Sequence, residues 1–220
     1  MTTCTGYHFH NGRERYGSRR KIEAGKTYRV KGEPVLCRHG LHASARIIDA
    51  LKYAPPDTKY VCLVELGGSV KLDTDKAVAT QRIVLQMMEC ETILHEFACW
   101  CAEQALKAER KAGRESDKRS WEAIRVKRRW LKGEATDKEL AAAGAAAGDA
   151  ARDAAGAAAG AAAGDAARDA AWAAARDAAW AAAGAAAGAA AGDAAWAAAG
   201  DAAGDAQNRK LMAMIRKALR

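Results

Sequence analysis

The chain has 220 residues and carries 35 Lys and Arg against 27 Asp and Glu, a net charge of +8. Alanine supplies much of the 50% apolar content, because residues 141–208 contain almost only Ala, Gly, Asp, Arg and Trp. Residues 1–132 therefore hold the large apolar side chains needed for an ordinary core. No uncharged run is long and apolar enough to cross a bilayer, so we expect no membrane association.

Charge is unevenly distributed along the chain. Residues 1–132 carry 26 Lys and Arg against 16 Asp and Glu, whereas residues 133–208 carry 4 against 11 and residues 209–220 add five basic residues. A basic region of this kind favours a polyanionic or acidic partner, either a nucleic acid or a protein with an acidic face.

The six cysteines all lie within the first 101 residues. The N-terminal segment shows neither the basic nor the apolar stretch of a secretory signal. Cys62 lies in an apolar run, where cysteine behaves as a small buried hydrophobe. We therefore expect reduced thiols and a cytoplasmic location.

Residues 5–72 alternate in the manner of short strands separated by turns. In residues 5–10, Tyr7 and Phe9 would share one face of a strand, and His8 and His10 the other. Further strands are expected at 26–30, 34–37 and 60–66, the last ended by two glycines. Ser44 is expected to cap a short helix between the last two of these strands.

From about residue 80 the apolar spacing becomes helical. Apolar residues follow one another at intervals of four and three positions, which predicts a helix that ends at Gly113; they are Ile83, Met87, Cys90, Leu94, Phe97 and Cys101. A second helix is expected over 117–132. The pair Thr136 and Glu139 has the spacing of a capping box and predicts a new helix start before the alanine-rich tract.

The segment 107–132 holds 11 Lys and Arg against four acidic residues, with Trp interleaved. Basic side chains that neutralise phosphates and aromatic rings that stack on bases are typical of nucleic-acid binding. The predicted contact residues for nucleic acid or another partner are Lys107, Arg110, Lys111, Arg114, Lys118, Arg119, Trp121, Arg125, Lys127, Arg128, Arg129 and Trp130.

Residues 141–208 form 17 consecutive tetrads with the pattern [Ala/Asp]-Ala-Ala-[Gly/Arg/Trp], from which only the last departs, with Gln207 and Asn208. Alanine favours a helix, but ten glycines oppose an isolated one. Small residues every four positions let another helix approach closely. We therefore expect close Ala/Gly helix packing, within the chain or between chains, with contacts at Gly184, Gly188, Trp172, Trp180 and Trp196. A single rod, folded-back helices and a low-complexity linker all stay open.

The densest polar cluster combines Cys37, His39 and His42 with His8 and His10 on the first strand. Cysteine and histidine are zinc ligands, but the spacing matches no standard zinc motif, and no metal site is predicted. No phosphate-binding loop, dinucleotide fingerprint or nucleophile elbow occurs in the sequence.

Four stretches resemble an uncharacterised family of phage and prophage proteins. They are residues 4–10, residues 36–44 (Leu-Cys-Arg-His-Gly-Leu-His-Ala-Ser), residues 49–55 and residues 64–67. Members of that family join such an N-terminal region to an Ala-rich repeat punctuated by Trp and Arg. The resemblance implies no established activity; it implies phage origin, the cytoplasm of a bacterial host cell and an accessory role, such as interference with host defence.

The same region is faintly similar to ADP-ribosyltransferases. In those enzymes a first-strand His or Arg binds NAD, a Gly-x-Tyr-x segment stacks the nicotinamide, and a later Glu activates the acceptor. On this resemblance, His8, His42 and Gln81 occupy the positions of these three motif residues. Because Gln cannot take a proton, it implies a degenerate site that binds NAD or ADP-ribose more than it implies an active enzyme.

These patterns together predict an α+β region over 1–132, with a small mixed or antiparallel sheet and C-terminal helices, an all-α repeat over 133–208 and a basic amphipathic helix over 209–220. The predicted function is that of an accessory, non-catalytic binding protein that inhibits host defence through its basic region, acting on nucleic acid or a nucleoprotein. The alternative is an NAD- or ADP-ribose-binding enzyme or pseudoenzyme, and no cofactor is predicted outside that alternative. Self-association or intrachain packing through the repeat is also expected.

Overall fold

The structure, a computed structural model, describes residues 3–14, 19–111, 113, 117–157 and 193–218. The chain divides into two compact units. The sheet unit is Met1–Glu91 together with Gln207–Arg220, and the helical unit is Thr92–Ala206. The region predicted as 1–132 therefore extends over both units.

The sheet unit contains five antiparallel strands in its described part. The strand order is β1-β4-β5-β2, and β3 also pairs with β5. The expected α+β class with an antiparallel sheet is confirmed. The strands are β1 Cys4–His10, β2 Thr27–Arg29, β3 Leu41–Ala43, β4 Tyr60–Leu72 and β5 Ala77–Glu89.

The sheet curves until its two ends meet. Tyr7 of β1 and Ser44, directly after β3, exchange two backbone hydrogen bonds, with N–O distances of 2.8 and 3.1 Å. This contact needs glycine at position 6, because a Cβ there would lie 2.8 Å from the Ser44 carbonyl oxygen. The path β1-β4-β5-β3 thus returns to β1 and encloses an interior.

The prediction of a helix from residue 80 is wrong for its first part. Residues 77–89 form β5, and the helix begins only at Glu91. Val78 and Val84 are β-branched and fully buried, and β5 pairs with β4 along its whole length. The ladder with β4 therefore overrides the local helical spacing of Ile83 and Met87.

Two smaller expectations around the third strand are also wrong. The strand expected at 34–37 is absent; residues 36–38 form a turn closed by the bridge between Val35 and His39, and the strand β3 follows it. Ser44 does not cap the short helix α1, Ile47–Lys52, because its backbone pairs with β1 instead. The N-cap residue of α1 is Arg46, which provides no side-chain cap.

The core of the sheet unit lies inside the curved sheet. Strands β2 to β5 contribute buried apolar side chains to it, and most of these are less than 5% exposed. Strand β1 contributes the partly buried Cys4. Burial of this apolar area is the main stabilising term for a unit of this size. The cluster includes Ile22, Tyr28, Leu41, Cys62, Val64, Leu66 and Val84.

The helical unit contains α2, Glu91–Lys111, α3, Lys118–Leu131, and α4, Asp137–Ala157. The predicted capping box is confirmed: Glu139 N donates to Thr136 Oγ1 at 3.2 Å, and Thr136 N donates to Glu139 Oε2 at 2.7 Å. The predicted stop at Gly113 is confirmed as well, with a left-handed φ of +79°.

The terminal helix α5 runs from Asp193 to Ala218 and is longer than the predicted 209–220. Its residues 207–218 belong to the sheet unit, where Leu211 and Ile215 are at most 2% exposed. The i, i+4 spacing places both side chains on one face of the helix, which explains why that face is buried.

Much of the repeat lies outside the described residues. The contacts expected at Gly184, Gly188, Trp172 and Trp180 fall there, and the side chain of Trp196 lies outside them too, although its backbone is in α5. Among the helices that the structure describes, none is long and apolar enough to span a membrane.

We expect Leu211→Ala to destabilise the sheet unit by about 2–4 kcal/mol, since it empties a fully buried position. Leu72→Ala is the matched control, because Leu72 is 68% exposed; it should cost less than about 1 kcal/mol. All six Trp lie outside residues 1–91, so unfolding is best followed by amide hydrogen exchange in β4 and β5. Equal effects of the two substitutions would contradict the docking of residues 207–218.

Candidate functional site

A cavity of about 610 Å³ opens in the sheet unit beside β1, β3 and α1. Its glycine at position 40 is required, because φ is +125° and a Cβ there would meet the Val78 side chain. Six cationic side chains line the cavity, and Glu14 is the one carboxylate among its described lining residues. The cations are Arg20, Arg29, Lys31, Arg38, Lys76 and Arg82.

Arg82 of β5 is the most buried of these cations, at 2% exposure. Its Nη1 donates to the carbonyl oxygen of His42 at 3.2 Å, and its Nη2 lies 3.9 Å from Glu14 Oε1. Its Nε has no hydrogen-bond partner among the described residues. Burial lowers the pKa of Arg82, an effect that Glu14 opposes. The charge and the donors of this buried guanidinium are therefore only partly compensated, and an anion nearby would be favourable.

Glu14 is held by a second arginine. Arg20 Nε donates to Glu14 Oε2 at 2.7 Å and Arg20 Nη2 to Oε1 at 3.2 Å, which is a bidentate pair. Glu14 is 6% exposed, so this pair is strong by comparison with surface ion pairs. Two guanidinium groups thus share one carboxylate, and the cavity keeps a net positive charge.

Three histidines surround Arg82 and stay neutral near pH 7. Burial, and secondarily the Arg82 charge, lowers the pKa of His8 well below its usual value and also lowers that of His42. The same two causes lower the pKa of His10 to about 4. Neutral imidazoles add no repulsion to the buried guanidinium.

The protons of two of these rings can be placed from their partners. Nδ1 of His10 accepts from Gly12 N at 2.8 Å, so its Nε2 carries the proton and lies 3.1 Å from Cys62 Sγ. Nε2 of His42 accepts from Cys37 N at 3.1 Å, so the proton of His42 is on Nδ1. Burial raises the pKa of the Cys62 thiol to about 12, which keeps it protonated.

Tyr53 and Lys76 also line the cavity. Lys76 Nζ lies 4.6 Å from the centre of the Tyr53 ring and donates to Tyr53 Oη at 3.0 Å. Tyr53 Oη in turn donates to Asp75 Oδ2 at 2.8 Å. The hydrogen bond with Tyr53 and a second one with Cys37 raise the pKa of Lys76, so its charge persists. The cavity therefore has a cation beside a flat ring that is 41% exposed.

The structure brings together two of the three residues that the similarity to ADP-ribosyltransferases singled out. His8 and His42 both line the cavity, and Arg82 lies between them and Glu14. Gln81 is not among the described lining residues; its Oε1 accepts from Arg29 Nε at 3.0 Å. Because neighbouring residues on a strand point to opposite faces, the cavity receives Arg82 and not Gln81.

Sequence reasoning missed Arg82. The alternation along β5 does not single it out, because the odd-numbered positions carry more apolar side chains than the even-numbered ones. The same segment also fits a helical spacing. Arg82 is recognised only once the strand and its burial are known, at 2% exposure.

The basic residues predicted to bind nucleic acid are largely engaged in pairs within the helical unit. Lys127 is buried and lies 3.9 Å from the ring centre of Trp130, and Trp121 is half-buried. Arg110, Lys111 and Lys118 are exposed, and Arg114 lies outside the described residues. The ion pairs are Lys107–Glu103, Arg119–Asp117, Arg125–Glu122, Arg128–Glu103 and Arg129–Glu139.

No cluster of three or more His, Cys, Asp or Glu side chains in the described part of the chain could hold a metal ion. The described cysteines are all free. Burial raises the pKa of Cys90 and Cys101 to about 12, as is usual for thiols that serve as core residues.

The histidines should make the sheet unit acid-sensitive. Unfolded His10 takes up a proton near pH 6.5, whereas folded His10 does so only near pH 4. Between these values the unfolded state binds more protons, so stability falls as the pH falls, by about 3 kcal/mol from this residue. Relative to the wild type, His10→Gln should therefore lose less stability between pH 7 and pH 4.5, measured by urea unfolding and circular dichroism. An equal loss in both proteins would contradict a neutral buried His10.

Comparison with known proteins identifies one family match. Residues 1–96 match the family model of a domain of unknown function, DUF7666. The match covers all five strands and α1 and ends shortly after the sheet unit gives way to α2. No match is found among curated proteins or among solved structures. The DUF7666 match thus covers the N-terminal part of the sheet unit and all described lining residues of the cavity, but not residues 207–220.

Proposed function

We propose that the sheet unit binds a small anion of the nucleotide type in its cavity and does not transform it. The observation that carries this proposal is the buried Arg82, which faces a cavity with six cations and one carboxylate. Among the six lining cations Arg82 is the buried one, and its carboxylate partner Glu14 is shared with Arg20, so an anion in the cavity would complete the compensation of its charge.

The shape and lining of the cavity favour a ligand that joins phosphate groups to a flat ring. Arginine binds phosphate through two parallel hydrogen bonds, and lysine adds a point charge. The Tyr53 ring beside Lys76 also lines the cavity and offers an aromatic surface for a flat ring. A volume of about 610 Å³ lies within the range of sites that hold a complete small molecule. ADP-ribose and NAD have this chemistry, and His8 and His42 line the cavity as the similarity to ADP-ribosyltransferases implies.

We favour binding without group transfer because Glu14, the carboxylate among the described lining residues, is already paired with arginines. Transfer of an ADP-ribosyl group needs a general base that activates the acceptor. Glu14 is engaged by Arg20 and Arg82, and Gln81 is both unable to take a proton and placed beside Arg29. We therefore favour the pseudoenzyme over the enzyme.

A binding protein of this kind acts by stoichiometric capture of its ligand. For an accessory protein of phage origin, capture of a nucleotide-type molecule would be one means to inhibit host defence. The nucleic-acid alternative rests on the exposed Arg110, Lys111 and Lys118, since most other basic residues of α2 and α3 have partners within the helical unit.

We also propose that the Ala-rich repeat forms closely packed helices. Both of its ends support this, since α4 covers residues 137–157 and α5 begins at residue 193. Gly148 and Ala150 of α4 are buried, and α4 packs against α3. Burial of such small side chains is what close helix approach requires.

Isothermal titration of the full chain with ADP-ribose, NAD and adenosine tests the ligand proposal. ADP-ribose should bind with an affinity that weakens as salt rises, and adenosine, which has no phosphate, should bind far more weakly. Arg38→Gln removes a cation from the exposed part of the cavity lining and should weaken ADP-ribose binding about tenfold. Lys71→Gln is the matched control; Lys71 pairs with Glu33 outside the cavity, and its loss should change nothing.

Absence of heat with ADP-ribose and NAD, or equal effects of the two substitutions, would contradict the proposal. A duplex and a single-stranded DNA should be titrated in parallel. Salt-sensitive DNA binding that Arg110→Gln weakens and Arg38→Gln does not would favour the nucleic-acid alternative instead.

A further inference from the structure

The last turns of α5 contact two parts of the frame of the cavity. Asn208 Oδ1 accepts a hydrogen bond from the backbone N of Ile48, at 3.2 Å. Tyr7 Oη donates to Met212 Sδ at 3.1 Å. Both contacts join segments more than 150 positions apart in the sequence and lie within the sheet unit.

The side chain of Asn208 caps the first turn of α1, whose own N-cap residue makes no side-chain cap hydrogen bond. The first N–H groups of a helix have no partner within it, and the N-cap residue Arg46 provides none from its side chain. A helix of six residues depends on contacts of this kind, because it is too short to be stable alone. Ala50 and Tyr53, at the other end of α1, line the cavity. Asn208 therefore helps to fix the wall that carries the flat ring.

The contact of Met212 acts on β1, the strand against which α1 packs. Tyr7 lines the cavity and also carries the backbone pair with Ser44 that closes the sheet. Its hydroxyl group is directed to the Met212 sulfur, a weak acceptor. Burial of Leu211 and Ile215 already accounts for the docking of the helix. The hydrogen bonds of Asn208 and Met212 additionally connect the helix to α1 and to Tyr7, which both contribute to the cavity lining.

We propose that residues 207–218 regulate the cavity by positioning Tyr7 and α1 for the ligand. This inference rests on the ligand proposal made above. The docked helix holds Tyr7 and α1 in the arrangement that binds the anion, and release of the helix lowers the affinity. Linkage then requires the reverse effect as well: the bound ligand strengthens the docking of residues 207–218. Asn208 and Met212 are positioning residues, since neither is among the described residues that line the cavity.

Hydrogen exchange and titration of the same variants of the full chain test this coupling. Asn208→Ala removes the cap of α1, and Met212→Leu removes the sulfur at nearly constant volume. The double variant should exchange its amides over residues 47–52 faster than the wild type and should bind ADP-ribose about tenfold more weakly, a factor typical of coupled sites. In the wild type, saturating ADP-ribose should slow exchange over residues 207–218.

Arg216→Gln is the control, because Arg216 lies on the exposed side of the same helix; it should match the wild type in both measurements. The two proposals fail in different ways. A wild-type chain that does not bind ADP-ribose overturns the ligand proposal. Unchanged exchange over residues 47–52 in the double variant, or unchanged affinity in a chain that binds, overturns the coupling.

Discussion

The arrangement of the sheet unit depends on one buried charge. Arg82 is enclosed between β1, β3 and the segment that carries Glu14, and it is nearly inaccessible to solvent. A guanidinium cannot lose its proton under ordinary conditions, so its surroundings must adapt to it. Three features accommodate the charge. Glu14 is buried near Nη2 of Arg82, and the carbonyl oxygen of His42 accepts a hydrogen bond from Nη1. The nearby imidazoles stay neutral because their pKa is lowered. The compensation is partial, and this is the basis on which we propose an anionic ligand.

The curvature of the sheet is what brings these groups together. Tyr7 and Ser44 join β1 to the end of β3, and this requires a residue without a side chain at position 6. Gly40 meets a similar restriction against Val78, two residues before the histidine whose carbonyl oxygen accepts from Arg82. The Gly-Leu-His-Ala-Ser stretch is thus explained by geometry: its glycine allows close packing, its histidine contacts Arg82, and its serine closes the sheet.

The sequence predicted local features well where a single side chain determines them. The capping box at Thr136 and the helix end at Gly113 are examples, as is the first strand with its histidines. It failed where long-range pairing decides, because β5 has a helical apolar spacing but is held as a strand by β4. The site was predicted in part for the same reason. His8 and His42 can be singled out by residue type, whereas Arg82 can be recognised as a site residue only once the strand that buries it is known.

The central claim is that Arg82 receives an anionic ligand, and NMR of its side chain tests this most directly. The Nε–H signal of Arg82 can be followed during a titration with ADP-ribose, with the ring signals of His8 and His42 observed in the same samples. We predict that all three shift together and saturate at one ligand per chain. Unchanged signals of Arg82 and both histidines, in a sample where calorimetry detects binding, would place the ligand elsewhere and contradict the claim.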